Sequence, residues 1–144
     1  MRSSDTVELL KECDAGVKMA VSSFDEVLGR IRNSDMKNLL EKSRESHEKL
    51  GGEIHSLLDS YHSEKKDPNP VAKTMSWMKT TMKMGMDESD ATVADLITDG
   101  CNMGVKSLHR YMNQYRGADE TSRDICGRLV RMEESLCKDL REYL

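Results

Sequence analysis

Apolar positions along the chain recur at alternating steps of three and four residues. In the first stretch Leu10, Cys13, Val17, Ala20, Phe24, Val27 and Ile31 form one continuous seam, the pattern of a helix with a single buried face. Asp5 followed by Glu8 resembles a capping box, so the spacing predicts a helix over about 5–32. Asn33-Ser34-Asp35 is a turn able to cap a second helix, whose seam is Met36, Leu40, Ser43, His47, Leu50, Ile54, Leu57 and Tyr61. Gly51-Gly52 interrupts it, and because each Gly costs about 1 kcal/mol relative to Ala inside a helix, a bend or a close backbone contact is expected there.

The polar, proline-punctuated stretch from Ser63 to Pro70 reads as a linker. Asn69-Pro70 then suits a helix start, and Val71, Met75, Met78 and Met82 predict a short crossing helix over about 70–84 that Gly85 ends. A third seam carries Ala94, Ile97, Cys101, Val105, Leu108, Met112 and Tyr115, and a fourth carries Cys126, Val130, Glu133, Cys137, Leu140 and Leu144, with Arg116-Gly117-Ala118-Asp119 as the turn between them. Short turns make each pair of helices antiparallel neighbours, and the long middle connection crosses from one pair to the other. The expectation is an all-α, antiparallel four-helix bundle in one domain over 1–144, with hairpin 1 at about 5–62, the linker and crossing helix at about 63–86, and hairpin 2 at about 90–144.

Internal similarity supports two copies of one hairpin. Cys13-Asp14-Ala15-Gly16-Val17-Lys18 recurs as Cys101-Asn102-Met103-Gly104-Val105-Lys106, and Leu39-Leu40 through His47 to Leu50 maps onto Leu129-Val130 through Cys137 to Leu140. Matching side chains of the two copies should then meet at one depth in the interior.

The 144 residues include 22 basic and 26 acidic side chains, a formal charge of −4. That balance disfavours nucleic acid and anionic membranes as partners, and no apolar run is long enough to span a bilayer. Met1-Arg2-Ser3-Ser4-Asp5 has no secretory h-region, which makes the cytoplasm the expected compartment and the four cysteines expected thiols. No GxSxG, phosphate loop, HExxH, GxGxxG or Ca²⁺ loop occurs, so no reaction is assignable.

Di-iron carboxylate bundles draw a Glu from each of two helices and a Glu-x-x-His from each of the other two. Here the corresponding positions carry Cys13 and Cys101, then Arg44-x-x-His47 and Glu134-x-x-Cys137. The spacing is kept and most carboxylates are gone. Together with Trp77-Met78-Lys79 and Asp99-Gly100-Cys101-Asn102, these residues resemble an uncharacterised bacterial ferritin-like four-helix family of the Pseudomonas type, a domain of unknown function. The resemblance implies a ferritin-like fold with degenerate ligand positions, cysteine standing at 101 and 137, and it transfers no activity.

Buried cysteines on helical seams are ordinarily packing residues. The sharper alternative is a site in which Cys13, His47, Cys101, Glu134 and Cys137 hold zinc or iron, since soft thiolates with imidazole suit those metals. Arg44 and Glu134 occupy equivalent places and would either pair across the bundle or reach water along their stems. Glu133 lies on the seam itself, so it should have a partner, a raised pKa or a polar cavity, with Ser43 a plausible neighbour. His55, His62 and His109 read as solvated. Met75, Met78, Met82, Met84 and Met86 could ligate copper but fit better as a packing surface, in which case the 70–84 helix could join two copies of the chain. Two functions follow: a non-catalytic bundle acting by self-association or protein binding, or a metal-binding or redox protein with a Cys/His/Glu core site.

Overall fold

A computed structural model describes residues 4–61 and 89–144. The linker, the 70–84 helix with its methionines and Trp77, and His62 lie outside the described residues. Four α-helices pack together: α1 Ser4–Leu28, α2 Ser34–Ser60, α3 Asp90–Gln114 and α4 Glu120–Leu140, the last followed by a 3₁₀ turn at Arg141–Tyr143. Among the described residues there is no strand, and no helix is long and apolar enough to cross a membrane.

The turns explain the helix boundaries. α1 stops at Leu28, three residues before the last seam position, because Gly29 and Arg30 turn the chain; Ile31 is nevertheless buried, so the seam outlasts the helix. Side-chain oxygens of Asn33, Ser89 and Asp119 accept hydrogen bonds from the backbone N–H groups of Met36, Thr92 and Ser122 at 3.0, 3.2 and 2.8 Å. Each satisfies one of the orphan donors of a helix start. α2 runs unbroken through Gly51-Gly52, and the close contact is at Gly51, where a Cβ would stand 3.1 Å from Val17 Cγ1.

Polar ties at the two ends set the helix directions. The Asp90 carboxylate at the start of α3 accepts the backbone N–H groups of Arg32 and Asn33, both at 2.9 Å, in the α1–α2 turn. At the opposite end Asp5 and Thr6 of α1 accept the N–H groups of Gly117 and Asp119, both at 2.8 Å, in the α3–α4 turn. Consequently α1 runs parallel to α4 and antiparallel to α2 and α3, and α2 finishes at the end of the bundle opposite to where α3 begins. α1 and α4 each pack against all three other helices.

Two apolar clusters fill the interior. Leu9, Leu10, Leu50, Ile54, Leu58 and Leu129 centre one, at the Asp5 end, and Phe24, Val27, Met36, Leu40, Val93 and Leu140 centre the other. At about 1.5–3 kcal/mol per fully buried aliphatic side chain, these stripes supply most of the stabilisation. The capping and end ties contribute about 1 kcal/mol each, and they matter for direction and register more than for total stability.

Candidate functional site

Most of the buried titratable groups among the described residues stand on two helices, Glu12, Cys13 and Asp14 on α1 and Cys126 and Glu133 on the inward face of α4. Cys126, Val130, Glu133 and Cys137 follow one another at steps of four, three and four, and the first three are buried. Each cysteine meets a thiol from a neighbouring helix. Cys126 is hydrogen-bonded with Cys13 of α1 and itself donates to the Leu108 carbonyl oxygen at 3.9 Å. The Cys13 thiol is pushed well up by that bond and by its burial, whereas the same bond lowers the Cys126 thiol. Three turns further along, Cys137 contacts Cys101 of α3. Its thiol lies 3.7 Å from the Thr98 carbonyl oxygen and 3.5 Å from Asn102 Oδ1. Burial pushes both of these thiols up as well. All four cysteines are free.

Between the two pairs stands Glu133. Its side chain is buried and its Oε2 is shut off from solvent with no hydrogen-bond partner. Burial, with a smaller contribution from Cys126, raises its pKa to about 8. The facing residue is Gly104 of α3, where any Cβ would run into Oε2. Glycine there is therefore the room that the carboxyl group occupies. Of the partner, raised pKa or polar cavity expected for Glu133, it is the pKa that is raised, whereas Ser43 is elsewhere, in an open groove between α2 and α4 with Lys42, Ser46 and Arg131. Gly104→Ala should destabilise the fold by about 2 kcal/mol through overpacking. A double-mutant cycle with Glu133→Ala in urea denaturation should recover most of that loss; additivity would show that the two positions are not in contact.

Two further buried acids, Glu12 and Asp14 of α1, were not anticipated. Asp14 of α1 is fully buried and is held by Lys18 Nζ at 3.1 Å and by His55 Nε2 of α2 at 2.5 Å. His55, expected to be solvated, is only partly exposed and spends its imidazole on this carboxylate. The i,i+4 spacing of Asp14 and Lys18 was visible in the sequence, but nothing there pointed to His55.

The residues expected to form a metal site do not come together. His47 sits edge-on to Phe24, with ring centroids 5.2 Å apart, and its Nδ1–H donates to the Ser43 carbonyl oxygen at 2.7 Å. Its Nε2 is buried without a partner, and burial lowers the pKa of the ring. Phe24 is eleven residues from Cys13, about 16 Å along α1, and the same rise separates Cys126 from Cys137 on α4. Cys13 thus lies about three turns from the level of both His47 and the Cys101–Cys137 pair. Glu134 is exposed on the outside of α4, and Arg44 pairs with Asp25 at 2.6 Å and Glu48 at 3.1 Å, so no Arg44–Glu134 bridge forms. Among the described residues no three His, Cys, Asp or Glu side chains are grouped to hold a metal ion. Of the five expected ligands only Cys101 and Cys137 meet.

The reason is register. An exact repeat would place Cys13 opposite His47 as Cys101 is opposite Cys137. Instead Asp14, next to Cys13, faces His55, eight residues further along α2 than His47. Compared with family models, curated proteins and solved structures, the chain matches none of them.

Proposed function

We propose that this chain is a non-catalytic, ferritin-like bundle that has lost a di-metal centre and acts by associating with itself or with another protein. The observation that carries this reading is the dispersal of the interior polar side chains. Asp14, His47 and Glu133 lie on different helices, and each is accommodated by its own neighbours: Lys18 and His55, the Ser43 carbonyl, and the space left by Gly104. A di-iron centre requires four carboxylates and two histidines converging at one level, and among the described residues no three such side chains are grouped. The helix directions also agree with a ferritin-like bundle, in which one long connection joins two hairpins.

The contact surface proposed is the seam of Val71, Met75, Met78 and Met82, since flexible thioether side chains fill irregular interfaces well. The test has two measurements on protein purified without added metal. Light scattering after size exclusion should give a mass above 16.4 kDa for the wild-type chain and the monomer mass for a Met75→Lys/Met78→Lys variant. Elemental analysis before and after incubation with ferrous iron should show far less than one metal ion per chain. A monomeric wild-type chain that retains no protein partner, or stoichiometric iron or zinc, would overturn the proposal.

A further inference from the structure

The two cysteine pairs have the same composition but different access, and that difference is a built-in comparison. Cys13 and Cys126 are both wholly buried, in the cluster nearer the Asp5 end of the bundle. Cys101 is buried, whereas its partner Cys137 is only partly so, and lies toward the C-terminal end of α4. Its thiol reaches α3 between Thr98 and Asn102, bracketing Cys101, with its two oxygen neighbours at 3.7 and 3.5 Å. One turn along, Gly104 yields its space to the Glu133 carboxyl group of α4.

We propose that Cys101 and Cys137 are a thiol modification site: a reversible dithiol that a small disulfide such as oxidised glutathione converts into a covalent staple between α3 and α4. The more accessible Cys137 thiolate attacks one sulfur of the small disulfide, whose S–S bond breaks and releases one small thiolate. Cys101, sheltered beside it, then attacks the Cys137 sulfur of the mixed disulfide and expels the second small thiolate. Two protein thiols are oxidised, one small disulfide is reduced to two thiols, and the two protons lost from Cys101 and Cys137 end on the released thiolates. A burial-raised thiol is mostly protonated at neutral pH, which makes the first attack slow without changing where it occurs. The Cys13–Cys126 pair is denied the same chemistry by access, since no small disulfide reaches a wholly buried sulfur without unfolding. This site is independent of the binding role proposed above, because it requires neither self-association nor a partner.

The test is intact-mass and peptide mapping of the folded, reduced wild-type protein incubated with oxidised glutathione. The expected result is loss of about 2 Da and a cross-linked peptide joining Cys101 to Cys137, with Cys13 and Cys126 still open to alkylation after denaturation. Dithiothreitol should restore the starting mass. Cys126→Ser should oxidise as the wild-type does, while Cys101→Ser should stop at a stable glutathione adduct on Cys137. Three wild-type results would each overturn the proposal: a persistent adduct on Cys137, oxidation of Cys13–Cys126 at an equal or faster rate, or no reaction under conditions that oxidise a free cysteine.

Discussion

Replacing Glu133 by Gln is expected to abolish most of the loss of stability that the wild-type protein shows as pH rises from about 5 to about 8. The folded carboxyl group keeps its proton up to about pH 8 because it is buried beside Cys126 without a partner for Oε2, whereas the unfolded chain releases that proton near the ordinary value of 4.5. Between those values the folded state binds one more proton than the unfolded state, so stability falls as pH rises. Below about 4.5 the group contributes no pH dependence, and above about 8 the full penalty is present. At about 1.4 kcal/mol per tenfold change, the difference amounts to about 4–5 kcal/mol. Glutamine fills nearly the same volume and cannot ionise, so its cost is independent of pH. His47, whose pKa burial lowers, acts in the opposite sense: the unfolded chain takes up a proton as pH falls below about 6.5 and the folded protein does not. That effect is common to both proteins and cancels in their difference. Urea denaturation at several pH values should therefore give curves for wild type and Glu133→Gln that converge toward acid, with the variant the more stable above pH 8. Parallel curves would mean that Glu133 is ionised in the folded state.

The origin of this group was partly legible in the sequence. Seam spacing placed Glu133 inward and so required a special environment, because spacing reports which face of a helix is buried. The same reasoning correctly placed Cys13, Cys101 and Cys126 in the interior and Asn33 at the start of α2. It failed for the proposed metal site because spacing does not report the level at which two faces meet. Sliding one helix past another by seven or eight residues, about two turns, leaves the seam facing inward and changes every partner. Such a slide separates the pairing expected for Cys13, with His47, from the contact that its neighbour Asp14 makes with His55. Local similarity between the CxxGVK segments carries no information on that axial setting, which depends on the turns and on end ties such as Asp90 to the Arg32 and Asn33 amides. Surface ion pairs were illegible for the same reason. Arg44 finds Asp25 across α1 and α2 because of their register, although both residues sit in plain view in the chain.

Removing the imidazole of His55 should destabilise the protein by about 2–3 kcal/mol, more than its partly exposed position suggests. The cost lies with its partner. Asp14 is fully buried, and its two carboxylate oxygens are met by Lys18 and His55. With His55→Ala, one of those oxygens loses the imidazole it contacts inside the bundle, and a buried carboxylate deprived of compensation is far costlier than an exposed one. Replacement of Asp14 itself should behave differently. Lys18 and His55 both reach solvent, so neither is stranded when the carboxylate goes, and an apolar residue of similar volume converts the site into ordinary core next to Leu10 and Val17. The Asp14→Leu/His55→Ala double variant should therefore be at least 1 kcal/mol more stable than His55→Ala alone, a non-additive rescue that urea denaturation at neutral pH would resolve. If the double variant is instead less stable than either single one, Asp14 contributes through packing and not through its charge, and the register inferred from the Asp14–His55 contact has to be redrawn.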